Sequence, residues 1–525
     1  MRMLLMGGRI HVPNSPDATA MAVEDGTVVW VGQDGPARTL YPDAEIVQLD
    51  GAFVAPAFVD PHVHATSAGL LLTGLDLTGC TSLAECLDAL RKAEGDAVWG
   101  HGWDETVWPE RRPPTRAEID AAAGGRAVYL SRIDVHSALV SSATVDRAPD
   151  SRGADGWDDD GPLSRDAHHR VRRVALRELS AEQRTAAKLA FLQHVASRGV
   201  ASVHECAGPE ISSKADLAEI LELGRDDARP DVVGYWGEAG AYELARELGI
   251  QGLAGDLFVD GAIGSRTAAL HEPYTDDPAN RGARYLDAGE IAEHLAGCTN
   301  AGLQAGFHVI GDAAVSAVID GFAKAEASVG RAALAAARHR LEHVEMVTAG
   351  QAAQLASWGV VASMQPMFDA AWGGPDGMYV QRLGERGTQL NPFSALARSG
   401  VVLAFGSDAP VTPVDPWRSV QAAVHHRTEG FGVSPRAAFT AHTRSGWRAA
   451  GVDDGVTGML TPGAPATYAV WETGDLVVAG SDSRVQRWST DPRSGVPGLP
   501  SLEPDAVLPR CLRTVLRGKT IYEER

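Results

Sequence analysis

The stretch AFVDPHVHAT, residues 57–66, carries two imidazoles one residue apart, His62 and His64, at the end of an apolar run that starts near Phe53. In an extended strand residues i and i+2 project to the same face, so both rings can converge on one point while Val63 turns away. That is chelating geometry, and neutral imidazole suits zinc and similar divalent ions. Taken alone, a His-x-His pair is more often two surface or hydrogen-bonded histidines, here beside a turn at Asp60-Pro61. The remaining candidates decide the matter. His308 in FHVIGDAAV, His343 in RHRLEHVE and Asp408 in VVLAFGSD are spread over hundreds of residues, yet each closes a short apolar run.

The elements that must bring them together follow a repeated order of capped helix, glycine and apolar strand. Ser180 with Gln183 forms a capping-box pattern, a helix runs toward Gly199, and VASVHE follows, ending at His204-Glu205. Asp287 with Glu290 opens the next helix, Gly302 stops it, and LQAGFH ends at His308. Thr348 with Gln351 opens another before VVASMQP, and NPFSALARSG is a further helix closed by Gly400 ahead of Asp408. Alternating helices and buried strands predict parallel βαβ units, in which function gathers at the carboxyl ends of the strands. A closed barrel gathers all strand ends around one axis, whereas an open sheet spreads them along a line. One shared metal therefore favours the barrel, and no glycine-rich phosphate loop follows the first strand to support a dinucleotide site. Residues 20–32 form two β-type runs around Asp25-Gly26, and ATYAVWE and RTVLRGKTIYEE answer near the far end, so both termini read as pieces of one small β domain.

The bulk properties narrow the class. A chain of 525 residues exceeds one ordinary core, and 44% hydrophobic with 22% charged residues describe a globular protein. A formal charge of −21 argues against nucleic acid or an anionic membrane as partner and for a small-molecule substrate. Five scattered cysteines without CxxC spacing predict neither disulfides nor a structural zinc knot. With no signal peptide in MRMLLMGGRIHV, the expected location is cytoplasmic, with a homo-oligomer open.

The order His-x-His, His, His, Asp on successive strand ends resembles the metal-dependent amidohydrolase superfamily, and specifically its YtcJ-like group, amidohydrolase family 3. The segments GWDETVWPE (102–110), SRIDVHSALV (131–140), FVDGAIGSRTAAL (258–270), FHVIGDAAV (307–315), RLEHVE (340–345) and FGSDAPVTPVDPW (405–417) carry that resemblance over nearly the whole chain. It implies a (β/α)8 TIM-type barrel over residues 56–460, with insertions near 70–180 and 365–390 covering its mouth. Residues 1–55 and 461–525 would supply the two parts of a β-sandwich. It further implies a divalent metal, zinc first, held by His62, His64, His308 and Asp408. Asp408 would pass a proton from water to the departing nitrogen, and His343 would bind a second metal or hydrogen-bond substrate and water. Arg266, Thr267, Asp134, His136 and Trp103 are candidate substrate contacts, with Trp108 and Trp372 as further wall residues.

One position departs from that group. Its members commonly carry a lysine, carbamylated to bridge two metals, four residues before the Asp-Gly of the fourth-strand motif, and GDLFVDG places Asp256 there. Being shorter, Asp256 is expected to fall short of the bridge, with Glu205 the nearest substitute, so one ion is favoured over two. The expected activity is hydrolysis of a non-peptide C–N bond of amide or N-formyl type. The alternatives are hydrolytic deamination at the same site or a silent barrel that binds a small molecule.

Overall fold

The computed structural model describes residues 2–13, 15–95, 97–478 and 496–524. Eight parallel strands form its centre: β1 (Phe58–Val63), β2 (Val200–Ala207), β3 (Asp231–Trp236), β4 (Gly252–Leu253), β5 (Gln304–Val309), β6 (Arg340–His343), β7 (Val361–Met364) and β8 (Val402–Phe405). Neighbours in space are neighbours in sequence throughout. The seam between β1 and the end of β8 is closed by backbone bonds: Asp408 N–H donates to the His62 carbonyl and His64 N–H to the Ala409 carbonyl, both at 2.9 Å. The candidate ligands therefore sit on the stitch that turns the sheet into the expected (β/α)8 barrel.

Local sequence explains the helices that alternate with these strands. Ser180, Asp287 and Thr348 each accept a backbone N–H of the first turn while Gln183, Glu290 and Gln351 reach back, giving capping boxes on Ala181–Ser197, Ala288–Ala301 and Ala349–Ser357. Left-handed backbone at Gly302 and Gly400 ends two helices where the spacing predicted. Strand β3 is an addition to the predicted set, its half-exposed first residues Asp231–Val233 concealing it.

The two chain ends share one sandwich. A five-stranded sheet orders Arg9–Ile10, Phe53–Pro56, Tyr468–Glu472, Arg510–Leu516 and Lys519–Glu523, so amino- and carboxyl-terminal strands pair directly. A four-stranded sheet that includes the Ala20–Glu24 and Thr27–Gly32 hairpin packs on it through Leu5, Val23, Val28, Val54 and Val470. Asp25 and Gly26 turn that hairpin with φ of 48° and 79°. Between β1 and β2 a separate mixed sheet, from Leu75–Asp76 to Leu163–Ser164, holds its own core around Trp103, Trp108 and Leu130. No helix among the described residues is long and apolar enough to cross a membrane.

Candidate metal centre

Strand alternation delivers both rings of the His-x-His pair to the barrel axis, where they are buried. Each ring has one nitrogen committed. His62 Nδ1–H donates to Glu342 Oε2 at 2.8 Å, and His64 Nδ1–H to the Cys206 carbonyl at 3.1 Å. Their Nε2 atoms are thereby aimed at the carboxylates of Asp256 and Asp408. His62 Nε2 lies 3.4 Å from Asp256 Oδ1 and 3.3 Å from Asp408 Oδ1; His64 Nε2 lies 3.3 Å from Asp256 Oδ2 and 3.1 Å from Asp408 Oδ1.

These spacings match a cation site. Ligand atoms about 2.0–2.1 Å from a tetrahedral ion stand roughly 3.3 Å from one another. His62 Nε2, Asp256 Oδ1 and Asp408 Oδ1 are also buried atoms with no hydrogen-bond partner, a costly arrangement unless something charged satisfies them together. The electrostatics agree. Burial pushes the Asp256 carboxyl up, but the rings of His64 and His62 outweigh it and hold the group well below the usual range. Burial likewise lowers His64, and the negative charge of Asp256 and Asp408 overcomes it.

Asp256 stands closer to the first two histidines than the length of its side chain suggests. The carboxylate reaches both histidines because the backbone comes in to meet them: after two residues of β4 the chain kinks at Gly255, φ +76°, so close to β2 that an added Cβ would stand 2.8 Å from Cys206 Cβ. Glu205 is not part of the group. Its Oε2 accepts the Ala65 N–H at 2.7 Å, at the start of the helix that follows His64, and burial pushes its carboxyl up to about 7.

The remaining histidines divide. His343 falls within the group of ligand atoms formed with His62 and Asp408, its Nδ1–H held by Gln365 Oε1 at 2.8 Å. His308 stands one ring further out, stacked edge-on to His343 at 4.5 Å, and no group of three close ligand atoms among the described residues includes it. Its Nδ1 makes no hydrogen bond, the Asp260 carboxylate standing 3.9 Å away, and burial together with His343 and His136 holds the ring well below the usual imidazole range. Both His343 and Asp408 adopt positive φ, 70° and 55°, the strained backbone often found where a side chain must be re-aimed at a site.

Above the histidines lies a narrow cavity of about 20 Å³ whose wall includes Asp134, His136, Glu345, Phe368, Trp372 and Tyr379. Segments 131–136 and 366–379 thus come from the two long insertions. Asp134 is held by Arg132 at 2.9 Å and by the Ser265 hydroxyl, and the His136 ring lies 5.0 Å from that of His308. Three expected substrate contacts lie elsewhere. Arg266 forms a fork onto Asp276 at 2.8 and 3.1 Å, a structural pair. Thr267 Oγ1 accepts the Ala262 N–H inside the same turn. Trp103, like Trp108, belongs to the insertion's core and donates to the Leu130 carbonyl. Sequence reasoning missed Glu342 and Arg340, which form a fully buried pair at 2.5 Å behind His62, with Arg340 also on the Pro61 carbonyl and over the Tyr235 ring. Their i, i+2 spacing in RLEH was the available signal.

Comparison with known proteins gives consistent results. The model of the amidohydrolase family matches residues 45–522. The putative amidohydrolase YtcJ of Bacillus subtilis is 27% identical over 458 residues, 81% of this chain and 84% of that one. The N-substituted formamide deformylase of Arthrobacter pascens is 24% identical over 466 residues, 81% of this chain and 83% of its own. An uncharacterized metal-dependent hydrolase from Pyrococcus furiosus superposes with a TM-score of 0.70 at 29% identity, over 90% of this chain and 98% of its own.

Proposed function

Because this chain belongs to the amidohydrolase family and is a metal-dependent hydrolase of carbon–nitrogen bonds, we propose that it cleaves an amide or N-formyl bond, outside peptides, in a small molecule. The observation that carries the reading is the convergence of partnerless buried atoms from His62, Asp256 and Asp408, with His64, at tetrahedral spacing. Two imidazoles and two carboxylates at that spacing are a donor set for one divalent ion, zinc first. When bound, the ion supplies an acidified water and a charge that polarises a carbonyl.

The chain's own groups do the rest. Asp408, fixed on the barrel seam, takes the proton of the attacking water and returns it to the departing nitrogen. His343, with Nδ1 committed to Gln365, offers Nε2 to the carbonyl oxygen or the water. His308 and His136 close the side of the pocket, excluding bulk water and keeping the charges inside it strong. The formamide deformylase among the relatives supports a small acyl group.

The test is zinc-reconstituted protein assayed against amides and N-formyl amines with product analysis. The expected result is an amine together with formate or a carboxylate, at close to one ion per chain. Ammonia released without formate or carboxylate would reassign the site to hydrolytic deamination. No turnover combined with tight binding of a small molecule would make it a silent barrel, and two tightly held ions would overturn the mononuclear centre.

A further inference from the structure

The pocket above the metal centre contains a buried carboxyl with no basic partner. Of its three carboxylates, Asp408 belongs to the ion's group and Asp134 is paired with Arg132 and Ser265. Glu345 has neither kind of partner. It is 2% exposed, and although the Tyr379 hydroxyl and Asn391 amide stand close by, its Oε2 makes no hydrogen bond of acceptable geometry. Among the described residues no lysine or arginine lines this pocket. Burial favours the neutral form of this carboxyl against the help of Tyr379 and Asn391, and a cation that arrives with the ligand would stabilise the ionised one.

The wall beside Glu345 indicates what that group is. Phe368, Trp372 and Tyr379 follow one another around the pocket, with ring centroids 4.9 Å apart for the first pair and 6.3 Å for the second. A cluster of aromatic rings next to an acid is an environment that can bind an ammonium, by its attraction to the rings and to the carboxylate. The Phe368 ring in turn stacks on His343 at 5.8 Å, which ties this wall to the reacting end.

We propose that the substrate is an acylated amine bearing a second, cationic nitrogen, bound by Glu345 within the Phe368–Trp372–Tyr379 wall while the acyl group lies at the metal centre. The inference rests on the reading of the centre as a carbon–nitrogen hydrolase. It places the charge on the leaving-amine side, so the product released is a polyamine-like or otherwise dibasic compound. Glu345 and the aromatic wall act on binding and selectivity, and the proton transfers stay with Asp408.

The experiment compares mono-formylated α,ω-diamines of increasing chain length with the same formamides ending in methyl in place of the ammonium. For one chain length, the wild-type protein should favour the charged compound in kcat/KM on the order of thirtyfold. Glu345→Gln should collapse that ratio toward one, and Trp372→Leu should reduce it without changing its sign. Calorimetric titration with the free diamines provides a readout independent of turnover: binding to wild type, and its loss in folded Glu345→Gln. Equal use of charged and neutral formamides at every length would overturn the proposal while leaving the hydrolase reading intact. If neither series is cleaved, the titration still decides, since diamine binding unchanged by Glu345→Gln, or absent from wild type, overturns it.

Discussion

At the scale of single residues, the centre depends on Asp256 as much as on the histidines. Asp256→Ala should lower the bound metal well below one per chain by elemental analysis, because it removes two of the four close contacts to His62 and His64. Asp408→Asn should retain much of the metal yet reduce kcat by about a hundredfold or more, since Asn cannot accept the water proton. Near-normal kcat in that variant would exclude Asp408 as the base. Glu342 belongs to the same group of residues from behind. Glu342→Gln leaves Arg340 buried without its countercharge, and we expect a loss of about 3 kcal/mol in denaturant unfolding with metal affinity down roughly tenfold or more. What sequence made legible here was spacing. His-x-His and the strand-end positions of His343 and Asp408 follow from backbone periodicity alone. Glu342 and Arg340 stayed hidden because a charged pair in a strand ordinarily reads as a solvated face. The closeness of Asp256 to His62 and His64 was not legible, because reach depends on the path of the backbone at Gly255, which side-chain length does not reveal.

At the scale of elements, the helix Ala65–Thr73 converts packing into ligand geometry. It begins on the residue after His64, its first N–H is held by Glu205, and Gly69 lets it lie directly on the helix Ala181–Ser197. A Cβ at Gly69 would stand 1.9 Å from the Ala187 carbonyl oxygen, so any side chain there has to move one helix off the other. Gly69→Val should therefore cost about 2–3 kcal/mol and weaken zinc binding, measured by thermal melting and metal titration of the same sample. An unchanged melting temperature would show that the contact yields without cost. The capped helices and the hairpins were readable because their signals are local: an oxygen at the N-cap, a glycine with positive φ. The two-residue strand β4 and the insertion's mixed sheet were not, because pairing with distant strands, and no periodicity of their own, defines them.

At the scale of the whole molecule, the barrel and insertion bury titratable rings that serve no ligand. Burial pushes His101 down to about 4 and His339 and His442 to about 3, against an ordinary value of 6.5. Above pH 6.5 these rings are neutral in both folded and unfolded chains and affect stability little. Below it the unfolded chain takes up protons that the folded one refuses, so stability falls as the pH drops toward 4, by up to about 1.4 kcal/mol per pH unit for each ring. Calorimetry from neutral to mildly acidic pH should show a falling melting temperature whose slope is shallower in His442→Asn; a flat profile would contradict the burial of these rings as neutral species. The sandwich shared by both chain ends has a consequence in time. Strand Phe53–Pro56 pairs on one side with Arg9–Ile10, but its other edge finds Tyr468–Glu472 only roughly four hundred residues later. At ~5–20 residues per second of synthesis, that edge waits on the order of half a minute, hydrophobic and unpaired, while the barrel grows beside it. Translation speed and chaperone access, as much as the final contacts, then set how much of this enzyme a cell obtains.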